Sequence, residues 1–150
     1  LQYQTKTNKN MIRINVKGKV YNEFTCDLET AYQASEFLKM LSSIDKESPY
    51  VPIEISVQTQ NLIGNEYIVH DNSYAINLVN KKSVYLVQRK SEWYSPDKKE
   101  EGAKFVILSN PYIEKDGELF NFYHIFVNVV SKKTGKIYRV LFFDGGVVEK

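Results

Sequence analysis

From Val51 onward, short apolar and β-branched runs alternate with turn-forming residues, and no helical spacing intervenes. The runs Pro52–Thr59, Glu66–His70, Tyr74–Val79, Ser83–Lys90, Ala103–Leu108, Leu119–Val130 and Lys136–Phe143 read as strands. Between them, Asp71-Asn72-Ser73, Asn80-Lys81-Lys82 and Lys115-Asp116-Gly117 carry turn chemistry. The last two long runs flank Ser131–Lys136, which contains Gly135, and together they predict a hairpin. Upstream, Ile12-Arg13-Ile14-Asn15-Val16 alternates apolar and polar residues. Val20–Thr25 follows across Lys17-Gly18-Lys19, which reads as a second hairpin.

One segment departs from the period of two. Leu28, Ala31, Tyr32, Phe37, Leu38, Leu41 and Ile44 recur at helical spacing and predict a helix over 28–43. Asp27 suits the N-cap, and Glu29 places negative charge in the first turn. Ser42-Ser43 and Ser48-Pro49 are expected to end it. Residues 1–10 are polar and patternless and read as a flexible arm. The expected fold is α+β in a single domain over 11–150. An N-terminal β-hairpin and one amphipathic helix pack on a curved antiparallel β-meander, with the helix seated through Phe37, Leu38 and Leu41. A partly open small β-barrel is the alternative.

Composition adds limits more than direction. The chain has 150 residues, 43% hydrophobic and 25% charged, enough for a sizeable core without metal or disulfide. Aromatics reach 13%, with 11 Tyr and 8 Phe, and Tyr suits half-exposed sheet faces and interfaces. One cysteine, Cys26, leaves no internal disulfide and suits a reducing compartment, which makes a cytoplasmic location the expectation. No apolar run reaches the roughly 18 residues of a spanning helix. Net charge is only +2, but it is blocked: residues 1–20 carry five bases and no acid, and 21–60 carry seven acids and two bases. The separate basic blocks argue against a dedicated duplex binder.

Catalytic motifs are missing from the pattern. There is no Gly-rich phosphate loop, HExxH, GxSxG or paired-carboxylate spacing. His70 stands beside Asp71 at a turn, and His124 lies in an aromatic strand on one face with Phe120, Phe122 and Phe126. Two isolated histidines have no ligand spacing, so neither a metal nor a cofactor is expected. Cys26 precedes the expected helix, where a thiol can be activated, although a small buried Cys is the commoner role. Gly145-Gly146 reads as a turn.

Two basic-aromatic groups remain as candidate binding residues. Tyr85, Arg89, Lys90, Trp93 and Tyr94 form one, and Lys132, Lys133, Lys136, Tyr138 and Arg139 form the other. Tyr, Trp and Arg dominate protein interfaces, and stacked aromatics among cations hold single strands of nucleic acid. The reading is a non-enzymatic binding module that acts on a protein partner as an accessory, inhibitor or assembly component. A single-stranded nucleic-acid binder is the alternative. A partner strand, or a second copy of the chain, is expected to pair with an exposed edge at 51–59 or 136–143.

Overall fold

The computed structural model describes residues 10–18, 23–47, 53–70, 73–86, 100–116 and 122–148. In chain order its elements are β1 (Ile12–Lys17), β2 (Phe24–Leu28), α1 (Ala31–Glu47), β3 (Glu54–Gln58), β4 (Glu66–Val69), β5 (Ser73–Asn77), β6 (Ser83–Leu86), β7 (Phe105–Ile107), β8 (Tyr112–Asp116), β9 (Phe122–Ser131), β10 (Ile137–Leu141) and β11 (Gly145–Val147). A 3-10 turn at Phe142–Asp144 joins the last two strands. The fold is α+β, one helix together with antiparallel sheets.

The strands form a three-stranded sheet, order β2-β1-β3, and an eight-stranded sheet, order β11-β4-β7-β9-β10-β5-β6, with β8 added on β9. The terminal strands β11 and β6 do not pair, so the large sheet is not closed into a barrel. Its order departs from chain order. Only the β5–β6, β8–β9 and β9–β10 neighbours are consecutive. The chain divides into two compact units, Leu1–Gln60 with Tyr112–His124, and Asn61–Pro111 with Ile125–Lys150.

In the first unit, alternation along β1 fixes both faces of the small sheet. Ile12, Ile14 and Val16 are buried with Leu28 of β2, while Arg13, Asn15 and Lys17 lie on the other face. There the register sets Arg13 opposite Asp27, and the guanidinium donates to both carboxylate oxygens at 2.7 and 3.0 Å. The hydrogen bond to Arg13 holds the Asp27 carboxyl below its ordinary range. Asp27 is therefore a strand residue and not the helix cap. Thr30 caps α1 instead: its Oγ1 accepts from the Gln33 amide at 3.1 Å, and Gln33 Oε1 accepts from the Glu29 amide at 2.7 Å. This is a Thr-x-x-Gln capping box shifted one residue upstream on its return bond.

The helix thus starts at Ala31 rather than 28. Its buried stripe is Ala34, Phe37 and Leu41, with Leu38 half-buried, and Tyr32 falls on the exposed side. Ser42 and Ser43 do not end the helix. Their hydroxyls donate to the Leu38 and Lys39 carbonyls one turn back, and the helix continues to Glu47. Replacing Thr30 by Ala is expected to cost about 1 kcal/mol, with Thr30→Ser near neutral. Urea unfolding of the two variants checks this, and equal losses would remove the cap from the account.

In the second unit the core lies on one face of the large sheet. Tyr67, Phe105, Val127, Val129, Tyr138 and Val140 are all fully buried there. Gly145-Gly146 is not a turn but the start of β11, with Gly145 opposite Val69 and Gly146 opposite Ile68. A side chain at Gly145 would fall on the Ile68 carbonyl and 2.5 Å from the Tyr67 hydroxyl. That hydroxyl donates to the carbonyls of Phe142 at 2.7 Å and Leu141 at 3.1 Å.

Burial, with a smaller push from Asp144, raises the Tyr67 phenol well above its ordinary value. The native state therefore keeps the Tyr67 proton longer than the unfolded chain does. Stability from this group is complete below about pH 10 and falls as pH rises toward the native value. Chemical unfolding followed from about pH 9 to 11 should show a steeper loss in the parent than in Tyr67→Phe. Parallel slopes would contradict the role given to this hydroxyl.

Candidate binding face

Register places the side chains of the large sheet on two faces. Directly opposed residues share a face, and adjacent residues alternate. Tyr138 opposes Val129 and Asn77 on the core face, whereas Arg139 opposes Asn128 and Ile76 on the other. Leu141 opposes Phe126, Ile137 opposes Val130, and Tyr74 opposes Tyr85, all on the face with Arg139. The same face continues through Val106 on β7 and Glu66 and Ile68 on β4.

An antiparallel sheet with one buried face ordinarily shows polar residues on the second. Here the second face is largely apolar and aromatic. Ile137, Leu141, Val130, Val106 and Tyr74 are half-buried. Tyr85 is 48% exposed, Ile68 51%, and Leu108, which follows β7, 42%. Near the middle, the Arg139 guanidinium lies 4.1 Å from the centre of the Phe126 ring. This cation–π contact covers Phe126, which is buried, and leaves Arg139 half-exposed. Tyr74 and Tyr85 meet edge to face at 6.1 Å.

The structure thus brings Tyr85 and Arg139, one from each sequence group, onto one face. Tyr138 is not with them. It is buried, and its hydroxyl donates to Glu100 at 2.6 Å, so its ring is turned from solvent by the alternation that exposes Arg139. Lys132, Lys133 and Lys136 lie in the β9–β10 turn beside Gly135, whose φ of 76° is the left-handed conformation that such a turn requires. Lys133 Nζ donates to the Glu101 carbonyl at 2.9 Å. Arg89, Lys90, Trp93 and Tyr94 lie outside the described residues, as does the segment 1–9.

Glu100 is not among the candidate residues read from the sequence, which shows it only as one charge in the run Asp97-Lys98-Lys99-Glu100-Glu101. It is buried, and its carboxylate accepts hydrogen bonds from Ser131 Oγ at 2.6 Å, Thr134 Oγ1 at 2.9 Å and Tyr138 Oη. All three donors are more than thirty residues downstream, so no local pattern marks it.

The other candidates sit on different elements. His70 is exposed beyond the end of β4, where its amide donates to the Asp144 carbonyl at 2.9 Å. His124 is half-buried in β9. Cys26 sits in β2 opposite Ile14 rather than at a helix start, and desolvation followed by Asp27 raises its thiol. Among the described residues no three His, Cys, Asp or Glu side chains form a group that could hold a metal ion. No described helix is long and apolar enough to cross a membrane.

No family model, curated protein or solved structure matches this chain.

The two edge segments fare differently. The strand β3, within 51–59, is a terminal strand of the small sheet. By contrast, β10 is interior: it pairs with β9 on one side and β5 on the other, so 137–141 has no free edge to offer. The β5–β6 hairpin takes the place that a partner strand was expected to fill.

Proposed function

We propose that this protein is a non-enzymatic binding module, and that it engages a protein partner through the outer face of its large sheet. The observation that supports this reading is the apolar and aromatic character of a face lying opposite the core. Tyr85, Ile68 and Leu108 remain substantially exposed around Arg139. Aromatic and Arg anchors within an aliphatic surround are the composition of interface centres. The fitting partner presents a mainly apolar surface that packs around Arg139 and the exposed rings and aliphatic chains beside it. A single-stranded nucleic acid is served less well by this face. It needs cations interleaved with the stacking rings, and here aliphatic side chains surround Arg139 and the exposed ring of Tyr85. The terminal strand β3 offers a second, smaller mode, backbone pairing with a partner strand.

The test is site-specific photocrosslinking in the native host, from position 85 on the proposed face and from position 25 on the polar face of the small sheet. The reading expects a discrete protein adduct from position 85, lost on Arg139→Glu, and none from position 25. Adducts from position 25 alone, or nucleic acid as the crosslinked species, would overturn it.

A further inference from the structure

The topology gathers a set of lysines at one end of the large sheet that no sequence block contains. The β5–β6 turn, the chain leading into β7 and the β9–β10 turn all lie at that end. Three backbone bonds show it: Leu78 N donates to the Ile137 carbonyl, Asn77 N to Lys82, and Lys132 N to Lys104, at 2.8–2.9 Å. These connections carry Lys81, Lys82, Lys104, Lys132, Lys133 and Lys136. The first five are exposed and Lys136 is half-buried. They spread across β6, β5, β10, β9 and β7, roughly 20 Å at the usual strand spacing. Among the described residues of these connections and strand ends, Glu66, Glu100 and Glu101 are engaged or set back. Glu66 lies 4.0 Å from Lys104 Nζ, buried Glu100 is held by three hydroxyls, and Glu101 is half-buried.

At the apex of the β5–β6 turn stands Val79, 81% exposed, two residues before Lys81. Lys81 itself adopts a φ of 63°, a conformation in which glycine would be the easier residue.

We infer that this end of the sheet docks on an anionic lipid surface. Long lysine side chains spread over the ends of five adjacent strands suit many mobile headgroup charges. The valine at the apex gives the second, apolar contact that stable interfacial binding needs. Nucleic acid is the poorer fit, because none of the three connections (78–82, 100–104, 131–136) contains an aromatic residue on which a base could stack. This surface lies at one end of the large sheet and adjoins, through Lys104 and Glu66, the face proposed for the protein partner; its test reads lipid binding alone.

The experiment is co-sedimentation of the full chain with phosphatidylcholine vesicles, with and without about 30% phosphatidylserine, at about 50 and 500 mM salt. Binding is expected only to the anionic vesicles and only at low salt. Lys81→Glu with Lys132→Glu should lower the partition coefficient at least about tenfold, since each lysine contributes roughly fivefold. Val79→Ser, which leaves the charge unchanged, should lower it about threefold through its lost apolar contact. Circular dichroism verifies that each variant is folded, and Leu108→Ser, an exposed apolar position of the other surface that leaves the charge unchanged, should leave vesicle binding within about twofold. Absence of binding to anionic vesicles at low salt would overturn the inference. So would a folded double variant that binds as well as the parent, or binding of a labelled single strand without binding of vesicles.

Discussion

Replacing Gly145 by Ala is expected to cost about 3 kcal/mol or more, at the upper end of what overpacking a close-packed interior does. The added carbon would meet the Ile68 carbonyl, which is backbone, and the ring and hydroxyl of fully buried Tyr67. None of these is the free end of a flexible side chain, so relief requires β11 to move away from β4. The loss should therefore be localised. Amide exchange is expected to accelerate at the β4–β11 pairing, Val69 to Gly145 and Tyr67 to Val147, while the β9–β10 hairpin stays protected. Adding Tyr67→Phe removes the hydroxyl but neither the ring nor the carbonyl, so only a small part of the loss should return. A Gly145→Ala variant within about 0.5 kcal/mol of the parent would contradict the close approach described for this strand.

Glu100→Ala should cost a comparable amount, about 3 kcal/mol, for a different reason. Its carboxylate is the common acceptor for Ser131, Thr134 and Tyr138, and it fastens the chain before β7 to the β9–β10 turn. Truncation leaves buried hydroxyls without their acceptor and opens a void. Tyr138→Phe removes one donor and should cost about 1–2 kcal/mol, and the double variant should fall short of the sum, because the two deletions share one bond. Urea unfolding of the four proteins reads the coupling directly. Full additivity would mean that the hydroxyl and the carboxylate do not act together.

These two residues also mark where the sequence was legible and where it was not. The hairpin Phe122–Leu141 was readable because its alternation, turn glycine and β-branched content agree. The β1–β2 pairing was readable, but its second strand was placed at Val20–Thr25 and in fact runs Phe24–Leu28, with Val16 opposite Phe24, because the connection is longer than Lys17-Gly18-Lys19. The helix was recognised by its spacing, but its start was misplaced. Asp27 and Thr30 are both good caps, and only tertiary pairing with Arg13 commits Asp27 to a strand. The Thr30-x-x-Gln33 box was the local signal that could have decided it. Two strands were missed. β8 is a short run of mixed polarity, and β11 begins with two glycines whose place in a sheet depends on Tyr67, far away in the chain.

The candidate site was partly visible. Tyr85 and Arg139 were both singled out from their residue types, but nothing local could put them on one face. That follows from β5 lying between β6 and β10, a crossover pairing. Tyr138 illustrates the opposite error. Its adjacency to Arg139 in sequence suggested a shared surface, whereas adjacency along a strand guarantees opposite faces.

The most direct test of the proposed docking face is hydroxyl-radical footprinting, comparing the purified protein with the protein in native extract. Tyr85, Leu108 and Ile68 are expected to become protected in extract, with Ile63, Met40 and Tyr32 unchanged. Protection confined to those last three side chains, or none anywhere, would contradict it.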